Sequence, residues 1–80
     1  MFSDMKYIIY QEAVWIFPNF IDHSAVAIRN RFDKDDIQGA GFIIYNDGIC
    51  VCYGESISLG IKSREKLDAK IVKKLLHNDK

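Results

Sequence analysis

Three stretches of this chain are apolar at nearly every position rather than at every second one. Side chains alternate across a strand, so in Lys6 to Tyr10 the pair Tyr7 and Ile9 opposes Ile8 and Tyr10. Val14 and Ile16 oppose Trp15 and Phe17, and Phe42 and Ile44 oppose Ile43 and Tyr45. A sheet with one wet face alternates apolar and polar. These strands need cover on both sides.

The rest of the pattern fills in a fold. "KYIIY" (Lys6 to Tyr10) and "AVWIF" (Ala13 to Phe17) read as strands joined through Gln11 and Glu12, a poor pair for a primed turn. Pro18 ends the second strand. Asn19 or Asp22 caps a helix over about His23 to Phe32, with Ala25, Ile28 and Phe32 on one face. After the charged link Asp33 to Asp36, "IQGAGFIIY" and "ICVCY" (Ile49 to Tyr53) read as strands around an Asp47-Gly48 turn. A last helix follows from about Arg64 to His77, with Ser63 as its cap and Leu67, Ile71, Val72, Leu75 and Leu76 as its apolar stripe. The expectation is a single domain, 1–80, of α+β class: ββαββα, a four-stranded mostly antiparallel sheet with two helices on one face. Helices about 10 Å wide over strands about 4.8 Å apart cover roughly one face of such a sheet. The uncovered face then calls for a homodimer or higher homo-oligomer. The alternative is a monomer whose tyrosines and Trp15 tolerate partial exposure.

Composition narrows the function classes. Lys and Arg balance Asp and Glu at 11 each, which argues against nucleic acid as a partner. The charges are unevenly spread: residues 1–60 hold 4 basic and 8 acidic side chains, residues 61–80 hold 7 and 3. The basic end reads either as a solvated helix face or as an anion-facing edge. No apolar run approaches the ~20 residues of a membrane span and no signal-peptide pattern opens the chain, so a cytoplasmic protein with no membrane partner is expected. Cys50 and Cys52 point to one strand face, too close in sequence for a relaxed disulfide. They read as buried thiols. With His23 and His77 they make no zinc pattern, and no cofactor is indicated.

The stretch from Cys52 to Glu65, "CYGESISLGIKSRE", carries the candidate site. Gly54 and Gly60 permit close approach of a ligand to the backbone. Ser56 and Ser58 offer hydroxyls. Lys62, Ser63 and Arg64 open a helix whose free N–H groups favour an anion. His23 and Ser24 at the first helix start join this candidate set. The competing reading is a plain connection in which Ile57, Leu59 and Ile61 anchor the core. A Walker loop is absent, and Gly54-Glu55-Ser56-Ile57-Ser58 misses the nucleophile-elbow pattern at its last position. The expectation is that the chain is not an enzyme. Trp15 and the tyrosines lack the interleaved basic residues of an RNA-stacking sheet and read as core or interface.

"IFPNFIDHSAVA", "GAGFI" and "CYGESISLGIKSREKLD" resemble a family of small bacteriophage- and prophage-encoded proteins that share a Y-G-x-S-x-S-L-x-x-x-S-R motif. The matching positions are Phe17, Pro18, His23, Ser24, Gly41, Phe42, Tyr53, Gly54, Ser56, Ser58, Leu59, Ser63, Arg64 and Asp68. Glu65 stands where the family often has proline. The resemblance implies a viral accessory role in the host cytoplasm and brings no established enzyme activity with it. Joined to the motif chemistry, it leads to an anti-defence protein that sequesters a small anionic, nucleotide-like immune signal as a homo-oligomer. Arg64 would hold phosphate and Tyr53 would stack on a base or ribose. The alternative is a protein–protein inhibitor of a host defence complex, using an apolar sheet face or the acidic Asp33 to Asp36 segment as a nucleic-acid mimic.

Overall fold

A computed structural model describes residues 2–77. It is an α+β fold built on one four-stranded antiparallel sheet. The order along the chain is β1 (Phe2–Tyr10), β2 (Ala13–Phe17), α1 (His23–Arg29), a 3-10 turn (Lys34–Asp36), β3 (Ile37–Asn46), β4 (Ile49–Tyr53), β5 (Glu55–Ser56), β6 (Ile61–Lys62) and α2 (Glu65–His77). The sheet runs β2-β1-β3-β4, and β5 and β6 form a separate small hairpin. Long-range pairing of β1 with β3 at the centre, with hairpins on both flanks, gives the expected ββαββα order. The added element is the β5–β6 hairpin inside the presumed connection.

The helices lie on opposite faces, which corrects the expected placement on one. Alternation along β1 explains it. Ile8 points to a cluster with Phe17, Ala27, Ile37, Ala40 and Leu59, joined by Tyr10, Val26, Phe32 and Ile61. Tyr7 and Ile9 point the other way, to Ile43, Cys52 and Val72. The first face is roofed by α1 and the β5–β6 hairpin, and the second by α2. The connection after β6 is what lets α2 reach the far side. One chain therefore shields both sides of its central strands, and the ground for a second copy over an open sheet face lapses.

Helix α1 ends earlier than the expected Phe32. Arg31 adopts a left-handed conformation, φ 57°. Phe32 N–H then bonds Ala27 O at 2.8 Å and Arg31 N–H bonds Ile28 O at 3.1 Å. This Schellman closure throws Phe32 back over the sheet, where it stacks on Tyr10 with centroids 4.1 Å apart. Ala27 becomes the buried helix position, while Ala25 and Ile28 face outward, against the predicted stripe.

Both hairpins of the four-stranded sheet use two-residue loops. Asp47 and Gly48 have φ 51° and 82°, the primed geometry that matches strand twist. Gln11 and Glu12 adopt φ 50° and 64°, with Tyr10 directly opposite Ala13. Left-handed backbone costs an ordinary residue about 1 kcal/mol or more. Replacing Gln11→Asn with Glu12→Gly is expected to raise unfolding free energy by about 1–2 kcal/mol, because both new residues tolerate that region. Urea denaturation of the double variant checks it.

Candidate functional site

The motif residues fall into two groups on either side of the sheet. The first surrounds Asp68, a carboxylate wholly buried in the first turn of α2. Its Oδ2 accepts from Tyr7 Oη at 2.5 Å and from the backbone N–H of Arg64 at 2.9 Å. Its Oδ1 accepts from Arg64 Nε at 2.8 Å. Arg64 Nη2 also lies 2.8 Å from Oδ1 without an aligned hydrogen bond, so Nε carries the directional bond. Room for the carboxylate comes from Gly39, where a Cβ would sit on Asp68 itself.

Tyr7 is also fully buried and sits 2.6 Å from Ser63 Oγ. Its single proton goes to the carboxylate, so Ser63 donates to the phenol oxygen. Burial first, and then the bond to Asp68, pushes the Tyr7 pKa far above the ordinary phenol range. Tyr7 is a fixed donor, not a base. Ser63 was expected to cap α2, but the helix begins at Glu65, and Asp68 reaches back to satisfy the Arg64 N–H instead. Asp68 occupies a buried place on the helix face, and Leu67, expected in the stripe, is half-exposed.

The second group lies on the α1 side. His23 is buried, and its Nε2–H donates to Gly41 O at 2.9 Å. Its ring meets Phe17 edge-on at 5.4 Å and Phe42 at 6.2 Å. Burial, the largest cause, lowers its pKa below the usual imidazole value. Gly41 also leaves room for the chain after β4, since a Cβ there would come within 2.5 Å of Tyr53 O and 3.0 Å of Ser63 Cβ. Tyr53 stacks on Phe42 at 5.7 Å and donates to Asp4 Oδ1 at 2.8 Å. Gly54, at φ 76°, turns the chain over the Phe42 ring. Ser56 is buried and accepts from Leu59 N–H at 3.2 Å. Ser58 accepts from Ser24 N–H at 3.2 Å, pinning the tip of the β5–β6 loop to the start of α1. Lys62 is exposed on β6, opposite Glu55.

A cleft of about 370 Å³ opens between these parts, lined by Lys6, Asp22, His23, Phe42, Glu55, Ile57 and Ser58. Of the sequence-predicted set only His23 and Ser58 line it. Lys6, Phe42, Asp22 and Glu55 were not expected there; the signal for Lys6 and Phe42 was their shared side of the sheet, as directly paired residues. Lys6 Nζ donates to Ile21 O at 2.9 Å and lies 3.9 Å from Asp22. Ser24, Tyr53, Gly54, Ser56, Lys62, Ser63 and Arg64 do not line this cleft. Glu12, Asp35 and Asp36 border a second, acidic depression beside Gln11 and Gln38.

No helix among the described residues is long and apolar enough to cross a membrane. Comparison with protein-family models, with curated proteins and with solved structures returns no match. The likeness to phage-encoded proteins therefore rests on the sequence motifs alone.

Two outcomes follow from this chemistry. Tyr7→Phe leaves Asp68 Oδ2 short of a donor and is expected to cost about 1–3 kcal/mol. Arg64→Ala strips the buried carboxylate of its cation and is expected to cost about 3–5 kcal/mol. Denaturant titration of both variants measures this. Because the folded-state pKa of His23 is depressed, the unfolded chain binds the extra proton first. Stability is then full above about pH 6.5 and falls as pH drops below it. Urea midpoints between about pH 7.5 and 5.5 should show this decline in the native chain and a flatter profile in His23→Gln.

Proposed function

We propose that the chain is a non-catalytic binding protein that docks on a protein partner through the surface around the Lys6–Phe42 cleft. One observation carries this reading. The polar groups of the motif are engaged inside the fold, while Ile57 is 85 % exposed on the rim of a cleft floored in part by Phe42. Phe20, on the turn leading into Asp22, is 83 % exposed. Large apolar side chains around a concave site serve as anchors at protein interfaces. The ionic rim is Asp22 and Glu55, against a Lys6 whose ammonium already serves Ile21 O and Asp22. A partner with an apolar centre and basic flanks fits that rim better than a phosphate does. The resemblance to phage-encoded proteins supplies the biological sense: an accessory inhibitor that blocks a host defence protein in the host cytoplasm.

The second reading is sequestration of a small nucleotide-like anion. It is supported by His23 and Ser58, two motif residues that share the cleft with the Phe42 ring, a stacking surface. Two carboxylates on the rim oppose it. The readings separate experimentally. Ile57→Ser with Phe20→Ser should leave the fold within about 0.5 kcal/mol, since both side chains are exposed. The same pair should weaken capture of a host protein at least about tenfold. Capture unchanged by the double variant, with calorimetric binding of a nucleotide that is lost in Phe42→Ala, would overturn the docking reading in favour of the second.

A further inference from the structure

Strand β4 turns two thiols to one side of the sheet. Side chains alternate along a strand, so Cys50 and Cys52, on either side of Val51, both face α2. Cys52 packs in the cluster with Tyr7, Ile43 and Val72, and Cys50 lies against that cluster. Both cysteines are free, and their thiols hydrogen-bond to each other. A groove of about 230 Å³ opens beside them between β4 and α2, lined by Cys50, Val51, Cys52, Glu65, Lys66 and Ala69. Cys52 is 3 % exposed and Cys50 is half-buried, so access to the pair is from the Cys50 side. Length decides what can join them. Two same-face residues of a strand stand about 6.7 Å apart along the chain. A disulfide needs Cβ atoms about 3.8 Å apart and sulfurs about 2 Å apart, which the extended strand does not allow. One ion held by two metal–sulfur bonds of about 2.3 Å separates the sulfurs by about 4.6 Å, and side-chain rotation alone reaches that.

We infer that Cys50 and Cys52 together bind one cuprous ion, held between their two sulfurs at the inner end of this groove. The donor set selects the ion. Among the described residues no group of three or more His, Cys, Asp or Glu side chains is placed to hold a metal, so the pair cannot be completed to the four ligands of a structural zinc site. Two sulfurs alone suit a soft, monovalent ion that accepts linear two-fold coordination, which is Cu(I). Burial raises the Cys50 pKa, with Lys73 acting against the rise, and burial pushes the Cys52 thiol up to about 12. The empty pair is therefore protonated and unreactive at neutral pH. Binding exchanges protons for the ion: two thiols and Cu(I) give a bis-thiolate complex of net charge −1 and two released protons. Lys66 on the groove wall and Lys73 near Cys50 offset that charge, and Glu65 opposes them from the same wall. The site lies on the α2 side of the sheet and is independent of the cleft on the α1 side and of what docks there.

Anaerobic competition of the full chain against a chromophoric cuprous chelator, with ascorbate as reductant, tests the site. The expected result is one copper withdrawn per chain, bound more tightly as pH rises because protons leave. Losing an outer partner of a metal ligand costs up to about a hundredfold in affinity, so removing a ligand itself in Cys50→Ala is expected to cost at least that. Circular dichroism checks that this variant is folded. X-ray absorption on the unaltered, copper-loaded protein gives a second readout that needs no variant. It is expected to show two sulfur neighbours and no nitrogen or oxygen at bonding distance. No copper taken from the chelator, affinity unchanged in folded Cys50→Ala, or nitrogen and oxygen neighbours in place of the sulfurs would each overturn it.

Discussion

A single buried carboxylate organises this molecule. Asp68 has no contact with water, so its charge must be met by donors inside the protein. Those donors come from three places: the Tyr7 phenol in the central strand, the Arg64 guanidinium, and the Arg64 N–H at the start of α2. The same set fixes the helix to the sheet. Once Tyr7 and Asp68 are bonded, α2 has one height and one rotation on β1 and β3, and Val72 falls into the cluster with Ile9 and Ile43. Gly39 contributes by leaving space where a side chain would stand. The arrangement places hydrogen bonding, helix capping and core packing on the same few atoms.

The motif takes on a different meaning against that frame. Gly54, Ser56, Ser58, Ser63 and Arg64 look like ligand-binding groups when read as a linear string. In the fold they solve a route problem. The chain must leave β4, cross from the α1 side to the α2 side and begin a helix under a buried charge. Gly54 makes the turn over Phe42, Ser56 closes the small hairpin, Ser58 pins it to α1, and Ser63 donates to Tyr7 on the way past Gly41. Each hydroxyl meets a backbone or side-chain partner that would otherwise lack one in a partly buried loop. What this leaves at the surface is apolar: Ile57 on the hairpin tip, Phe20 on the turn before α1, and Ile49 and Val51 along the β4 edge. These exposed apolar side chains are the ground of the proposed docking role.

Much of this was legible from the residues. The apolar runs gave four strands, Asp47-Gly48 gave a hairpin in the right register, and the long amphipathic stretch after Ser63 gave a helix within one residue of its true start. The requirement for cover on both sheet faces was also correct. The source of that cover was not foreseen. A seven-residue helix and a two-by-two-residue hairpin suffice for one face, and the hairpin was hidden in what read as a connection because strands of two residues leave no periodicity to detect. Gln11-Glu12 likewise forms a turn that its residue types disfavour, since the pairing of β1 with β2 on both faces outweighs a local strain of about 1 kcal/mol per residue.

Sequence by itself determined the inventory of elements and their two-sided apolar character, because alternation and turn chemistry are local properties of neighbouring residues. Only the tertiary structure decided that the helices straddle the sheet, that Asp68 is a buried anchor instead of a solvated charge, and that Arg64 is bound to it. Those facts depend on Tyr7 and Asp68 meeting across sixty-one positions of chain, and no pattern along the chain records a contact between residues so far apart.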